Sequence, residues 1–332
     1  MKVIRLVLLF MHLGVLFLLL CMLLNAYVPP KVFPWFNLLS LGFPVLIITH
    51  FLLIIFWIFS WKKRAFVFLF CSLAFINPIK RWINYAPENK QNANLKMVSL
   101  NVKGGEFGVQ EIEDYINSQQ ADLVLLQEDG GKNFKLNSLK RSDENKVAVV
   151  ALYTKHKIIS QKPVIIGNYD DYNAYVDQND IEIRGKIYRF VNVYLQPFKF
   201  DKKMVKLDGN SNEDKEKIKN VVKRLIPTFK LHQQQIAIVR KVIDESPYPV
   251  FVVGDLNSVP NSYEYYHLSE GLKDAFVETG RGSGTSFHDY KFPLRIDYVF
   301  ISPSIQPVSY KVDHSVRLSD HFPVISTFSL QK

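Results

Sequence analysis

Apolar residues crowd the N-terminal part of the chain and then thin into short runs, and that change of pattern divides it in two. Residues 6–27 carry no charge over 22 positions, and a helix needs about 20 residues to cross a ~30 Å hydrocarbon layer. A second uncharged run, 36–61, follows Pro29, Pro30, Lys31 and Pro34. It ends in Trp57 and Trp61 against Lys62, Lys63 and Arg64, as an interfacial belt does. The third run, 65–79, has only 15 residues; it fits a third crossing, or an interfacial or re-entrant helix. The pattern predicts a transmembrane helical anchor over residues 1–83, with helices at about 6–27, 36–61 and, in one reading, 65–79. A polar, aperiodic linker over 84–94 follows.

From Leu95 onward short β-type runs recur at 96–102, 123–127, 147–153, 174–176, 186–194, 250–254, 296–302 and 324–328. Helical spacing falls between some of them, over 109–119 and 231–245, the second ending just before Ser246-Pro247. Strict strand–helix alternation is missing and no internal repeat is present. The class expected for 95–332 is α+β, with sheets packed on each other and helices outside. Residues 198–230 stand apart, with ten Lys/Arg and five acids and few large apolar residues before Val221. They read as a surface excursion, partly helical from Asp214 onward.

Composition sharpens this picture at two points. The chain carries a net charge of +10, which taken whole suggests nucleic acid or anionic lipid as a partner. Residues 1–94 hold nine Lys/Arg against one acid, whereas 95–332 hold 32 against 30, so the basic excess is mainly a topology signal. With the N-terminus inside, Lys2, Arg5, Lys62, Lys63 and Arg64 satisfy the positive-inside rule. Two crossings then leave the remainder cytoplasmic, and three place it outside; Pro78 and Trp82, which resemble an interfacial end, favour three. A cleaved signal peptide fits less well, because residues 21–27 offer no small-x-small site. Cys21 and Cys71 lie in apolar runs without His or Cys at ligand spacing, which argues against a disulfide scaffold or zinc.

Candidate chemistry gathers where apolar runs end. Asn101 closes KMVSLNV, Glu128 follows ADLVLLQ, and Asp255 and Asn257 sit in VFVVGDLNSVPNS at i, i+2, which in extended backbone points both the same way. Asp320-His321 precedes PVIST, with Asp297 upstream in LRIDYVF. Carboxylates and amides without thiolates suit a hard cation such as Mg²⁺ or Mn²⁺. With a His that is charged near neutral pH, the set suits phosphate ester hydrolysis.

Six blocks, SLNV, ADLVLLQE, VNVYLQP, VFVVGDLNSVPNS, GTSF with LRIDYVF, and LSDHFPV, resemble in type and order the endonuclease/exonuclease/phosphatase superfamily, and the anchor is similar to a membrane-bound bacterial branch of it. The resemblance spans essentially all of 95–332. It implies a four-layer α/β/β/α sandwich of two packed mixed β-sheets and a Mg²⁺-dependent hydrolase acting on phosphoric ester bonds. It gives Glu128 as the metal-binding glutamate, assisted by Asn101, with Asp320 placed to help. It gives Asp255 as the residue that orients or deprotonates water, Asn257 as an amide holding water or a phosphate oxygen, His321 as the phosphate contact, and Asp297 as the carboxylate that orients and charges it. One block departs: Asn192-Val193-Tyr194-Leu195 stands where many members have Asn-Thr-His-Leu. Tyr194 is then either a phosphate contact through its phenol or a packing residue.

Beside each of these stands a plainer reading. Asp255 and Asn257 also suit a turn with Pro260, Glu128 an exposed strand end, and His321 with Asp320 a surface pair. His156, His232, His267, His288 and His314 match no block and read as structural or solvated. Lys103 reads as ordinary surface charge, while Arg295 flanks the rim where a phosphate would lie. The expected substrate is a phosphodiester, in a nucleic acid first or in a phospholipid head group otherwise, and an inactive scaffold on the same fold is the rival. The bilayer is the expected partner of the N-terminal helices; no obligate protein partner is legible.

Overall fold

The computed structural model describes residues 2–60, 62–143, 149–167, 173–199, 211–289 and 292–331. Trp61, the first two residues of the strand expected at 147–153 and residues 200–210 of the polar stretch lie outside them.

Residues 95–331 build two six-stranded sheets from strands β2 (Leu95–Asn101), β3 (Leu123–Gln127), β4 (Lys140–Arg141), β5 (Val150–Thr154), β6 (Lys157–Ile165), β7 (Tyr175–Ile183), β8 (Lys186–Tyr194), β9 (Val250–Asp255), β10 (Lys273–Asp274), β12 (Asp297–Ile301), β13 (Gln306–Val312) and β14 (Val324–Ser329). Two further short strands, β1 (Ile83–Tyr85) and β11 (Arg281–Ser283), pair with each other. One large sheet has the order β10-β12-β9-β8-β7-β6 and the other β13-β14-β2-β3-β5-β4. Both are mixed, because β2 runs parallel to β3 and β8 parallel to β9 within otherwise antiparallel ladders.

The period-2 alternation of strand side chains makes the layers. Leu123 and Leu125 on one sheet and Phe190, Phe251 and Val253 on the other meet in a shared core. Phe190 stacks on Phe251 with ring centroids 4.5 Å apart; truncating Phe251 would cost about 3–5 kcal/mol. The alternate residues Val124 and Leu126 turn outward against helix α5 (Val109–Ser118), while Val191, Val193 and Val252 turn against helix α6 (Ser211–Asp244) and α7 (Tyr263–Leu268). This is the expected four-layer sandwich. Strands buried on both faces read as continuous apolar runs, which is why most were visible in sequence.

The others were not. β1, β4, β10 and β11 have only two or three residues each, and β7 was expected only at its start. β6 and β13 each lie at an outer edge of a sheet, where half-exposed, polar-rich residues and Pro163 or Pro307 are tolerated. The polar stretch also differs from expectation: α6 begins at Ser211 and runs 34 residues through Pro227. Leu225, Phe229, Ile236, Val239 and Ile243 are buried at three- or four-residue multiples along it, a stripe that the Lys-rich outer face conceals in composition. The linker likewise starts as packed structure, because Asn84 is buried and donates to the Phe276 and Val277 carbonyls at 2.9 and 2.8 Å.

Helices α1 (Lys2–Leu23) and α2 (Trp35–Phe59) form an antiparallel hairpin. Both are long and apolar enough to cross a membrane. The 65–79 stretch is not one helix. It divides into α3 (Arg64–Cys71), a 3₁₀ turn (Ser72–Phe75) and α4 (Ile76–Lys80). At standard rises these pieces span about 27 Å, and they run back along the hairpin. Ala65 and Phe68 pack with Ile54 and Trp57, whereas Phe75 packs with Leu19, Met22 and Phe43.

A directional hydrogen-bond chain ties the three segments together. Trp57 Nε1–H donates to His12 Nδ1 at 3.0 Å, so His12 Nε2–H donates to His50 Nδ1 at 2.9 Å and His50 Nε2–H to Ser72 Oγ at 3.0 Å. Ser72 in turn donates to the Phe68 carbonyl. The loop end of the hairpin docks on the sandwich. Asn37 Nδ2 meets both oxygens of Glu264 at 3.0 and 2.9 Å, Asn25 donates to the Asn261 carbonyl, and the Lys31 amide donates to Gln233.

Candidate active site

Strand direction brings the candidate residues to one rim. β2, β3, β8 and β9 end there, with Asn101 beside Gln127 and Tyr194 beside Asp255 in register. β12 begins there, with Asp297 opposite Asp255, and Ser319–His321 lie in the segment leading into β14. Just beneath, Gln127 Nε2 donates to Asn192 Oδ1 at 2.7 Å and Asn192 donates to the Leu126 and Ala151 carbonyls, cross-linking the two sheets.

Asp255 is the hub. Its Oδ1 accepts from the Asn257 amide at 2.7 Å; its Oδ2 accepts from Asn101 Nδ2 at 3.1 Å and lies 3.7 Å from His321 Nε2. His321 Nδ1 lies 2.8 Å from Asp297 Oδ2, and the Phe287 ring meets the imidazole edge-on at 5.0 Å. Ser286 of the GTSF block accepts from the backbone amides of Ile296 and Asp297, which fixes that carboxylate. Burial is the largest influence on both titrating partners. It pushes Asp255 up to about 8 against the pull of His321. It opposes the charge on His321, but Asp297 and Asp255 together outweigh it and hold the imidazole at about 10. The two carboxylates thus favour the charged form of His321, and burial makes Asp255 a stronger base than an ordinary carboxylate.

Around the hub, Asn101 Nδ2 also donates to Glu128 at 2.9 Å, while its Oδ1 accepts from the Lys103 amide. Asn101 thus offers nitrogen, not oxygen, to the carboxylates in this rotamer. Tyr194 is buried; burial and the nearby carboxylates of Glu128 and Asp255 raise it well above the usual phenol range. Asn257 turns its side chain to the Leu195 carbonyl at 2.9 Å. Asp320 Oδ2 lies 2.9 Å from Lys103 Nζ and its Oδ1 accepts from Ser319. Burial opposes its charge, yet His321, Lys103 and Ser319 together lower it.

Two sequence readings change here. Lys103 belongs to the rim and not to the general surface. It lies in a left-handed turn, at φ 45° before Gly104 and Gly105 at 60° and 70°, that folds the chain back toward Asp320. Arg295 does not face a phosphate: it is fully buried, pairs with Asp274 at 2.7 Å, donates to the Arg81 carbonyl and lies over Phe276 and Tyr298. Of the histidines without a motif, His232 is fully buried between Glu264 and the Gln196 carbonyl, a structural role as expected.

The donor set suits a hard divalent cation, because Glu128, Asn101, Asp255 and Asp320 offer only carboxylates and an amide at one rim. Asp255, Asp297 and His321 also bring one ligand atom each within 4.8 Å of one another. In that trio, however, His321 Nδ1 is already committed to Asp297, so it reads better as a hydrogen-bonded relay than as a metal cage.

A rim of carboxylates, amides and one charged imidazole on a two-sheet sandwich defines a phosphoesterase class of site. A model of the endonuclease/exonuclease/phosphatase family matches residues 98–321, and the chain belongs to that family of phosphoester hydrolases. Residues 5–82 match a domain of unknown function. No curated protein matches the chain. Among solved structures, it is similar to an endonuclease/exonuclease/phosphatase from Bacteroides vulgatus (16% identity, 71% of this chain and 99% of that one, TM-score 0.53). It is similar also to a mannosyl-6-phosphatase from Bacteroides thetaiotaomicron (16%, 71% and 100%, TM-score 0.52). A third is the 3′ phosphatase NExo from Neisseria bound to product DNA hairpin (18%, 71% and 100%, TM-score 0.51). At these identities the likeness concerns the fold.

Proposed function

We propose that the protein is a membrane-anchored, divalent-metal-dependent phosphoesterase in which residues 95–332 hydrolyse a phosphodiester by in-line attack of water. The observation that carries this reading is the convergence of Asp255, His321 and Asp297 with Glu128 and Asn101 at one rim. Asp255, with its raised pKa, takes the proton from the attacking water. Asp297 holds Nδ1 of His321, so that the imidazolium turns Nε2–H toward the phosphate and meets the charge developing there. Lys103 adds a second positive group, and Asn257 fixes the Asp255 carboxylate through its backbone amide.

Glu128, with Asn101 after a half-turn of its amide and with Asp320, would hold Mg²⁺ or Mn²⁺. Such an ion supplies Lewis-acid stabilisation of the phosphoryl oxygens. Tyr194 lines the cleft beside Glu128.

In the proposed topology residues 1–83 are the anchor and the broken third segment completes a third crossing. Lys2, Arg5, Lys62, Lys63 and Arg64 then share the end remote from the sandwich, which the positive-inside rule makes cytoplasmic, leaving the catalytic domain outside the cell membrane.

The test is turnover of bis-p-nitrophenyl phosphate by the full chain in detergent. Mg²⁺-dependent hydrolysis is expected, abolished by EDTA and reduced by about 10²–10⁴ in Asp255→Ala. Turnover that EDTA leaves intact, or that Asp255→Ala leaves equal, overturns the proposal.

A further inference from the structure

The candidate site opens in two directions. On one side lies a shallow cleft whose side chains are mostly polar, among them Lys103, Glu128, Asn173 and Tyr194. On the other, the same Lys103 and Glu128, with His321, form the polar end of a cavity of about 230 Å³ whose remaining wall is largely apolar. That wall is not made by the sandwich alone. Leu41 and Ser40 come from α2 of the hairpin, Leu225 and Phe229 from α6, and Val259 and Ile296 from the rim. Val259 and Ile296 also pack directly on Leu19, Met22 and Phe43 of the hairpin. Continuous apolar packing therefore runs from the N-terminal helices to the charged rim.

The hairpin is held in that position by buried polar contacts. Asn37 bridges Glu264 and the Tyr263 amide, and Arg81 bonds Asn261 at 2.8 Å. Leu41 lies six residues into α2, about 9 Å along its axis. A helix long and apolar enough to cross a membrane thus contributes directly to the cavity wall.

We infer that the substrate is a bilayer amphiphile, a phosphoester joining an apolar chain to a polar head. The phosphoryl group sits at Lys103, Glu128 and His321, with the first carbons of the chain against Leu41, Leu225 and Phe229 in the cavity and the head in the shallow cleft. This rests on the phosphoesterase reading above and adds the substrate class. A cavity of 230 Å³ has room for roughly eight water-sized groups, enough for a phosphoester and several methylenes but not for a nucleic-acid duplex. The domain's near-balanced charge, 32 Lys/Arg against 30 acids, supplies little of the electrostatic attraction that dominates nucleic-acid binding.

The experiment is a chain-length series of alkyl p-nitrophenyl phosphodiesters, methyl to octyl, with the full protein in detergent and Mg²⁺. The expected result is a kcat/KM that climbs with each methylene while the cavity fills, at most about fourfold per step, giving an octyl-to-methyl ratio above tenfold. Leu41→Gln and Leu225→Gln, on two different helices, should each reduce that ratio toward one; the ratio normalises each variant to its own methyl ester. Turnover of the methyl ester with a flat series in the unaltered protein overturns the amphiphile and leaves the phosphoesterase standing. Faster cleavage of a single-stranded oligonucleotide than of the octyl ester also overturns it. No turnover of any ester overturns the phosphoesterase reading itself.

Discussion

Lys103 shows how a single residue escapes a sequence reading. It follows the SLNV strand in a chain rich in lysine, and only the Gly-Gly after it hints at the reversal that carries its ammonium to Asp320. Lys103→Met is expected to lower kcat/KM by about 10–100-fold, less than loss of a fully enclosed oxyanion donor, since its side chain is 32% exposed. Asp255, by contrast, was legible, and Gly254 shows why its block is so distinctive. At φ 135° a Cβ there would lie 2.1 Å from the Val193 carbonyl oxygen, so the strand carrying Asp255 can approach β8 only through glycine. Gly254→Ala should destabilise the fold by about 2–4 kcal/mol, visible as a lowered Tm. Asp297 Oδ2 lies 2.8 Å from His321 Nδ1. The imidazole is held at about 10 by two carboxylates, so its charge and the stability it confers are complete below its ordinary value and are lost as pH rises through about 10. Asp297→Asn removes the nearer carboxylate. It should draw the alkaline limb of the pH–kcat/KM profile down by a unit or more, whereas a purely structural Asp297 would leave that limb in place.

At the level of elements, legibility followed burial. Strands covered on both faces, such as β3 and β9, were found nearly to the residue. The edge strands β6 and β13, with one side to solvent, carried no alternation strong enough to show. α6 was half hidden, because the Lys-rich face from residue 211 onward masks the stripe that begins at Leu225. Docking of the hairpin was wholly illegible, since nothing in sequence links Asn37 to Glu264. That carboxylate is fully buried, and burial alone would raise its pKa; the bonds from His232 and Asn37 outweigh burial and lower it. Its contribution is therefore present above the ordinary carboxylate pKa and fades as pH falls through the lowered one. Glu264→Gln should cost about 3–5 kcal/mol and expose the α6–α7 face to limited proteolysis; unchanged Tm and proteolytic pattern would show that the contact carries no stability.

For the whole molecule, the partition of charge matters more than its sum. Nine of the basic residues fall before residue 95, and folding sorts Lys62, Lys63 and Arg64 to one end of the bundle and Trp82 to the other, against the sandwich. Alkaline phosphatase fused after Asn94 is expected to be active, and a fusion at the N-terminus inactive. An inactive fusion after Asn94 would place the sandwich in the cytoplasm.

The hydrogen bonds from Trp57 through His12 and His50 to Ser72 carry a further consequence. Histidines inside a bundle of membrane helices ordinarily invite the idea of a proton path. This series starts at an indole N–H, which can only donate, and ends at a peptide carbonyl, which can only accept. No group at either end can load or release a proton without breaking the series, so it insulates where it might have conducted. The hairpin and the broken third segment are thus joined by polar groups whose hydrogen-bond directions are all fixed.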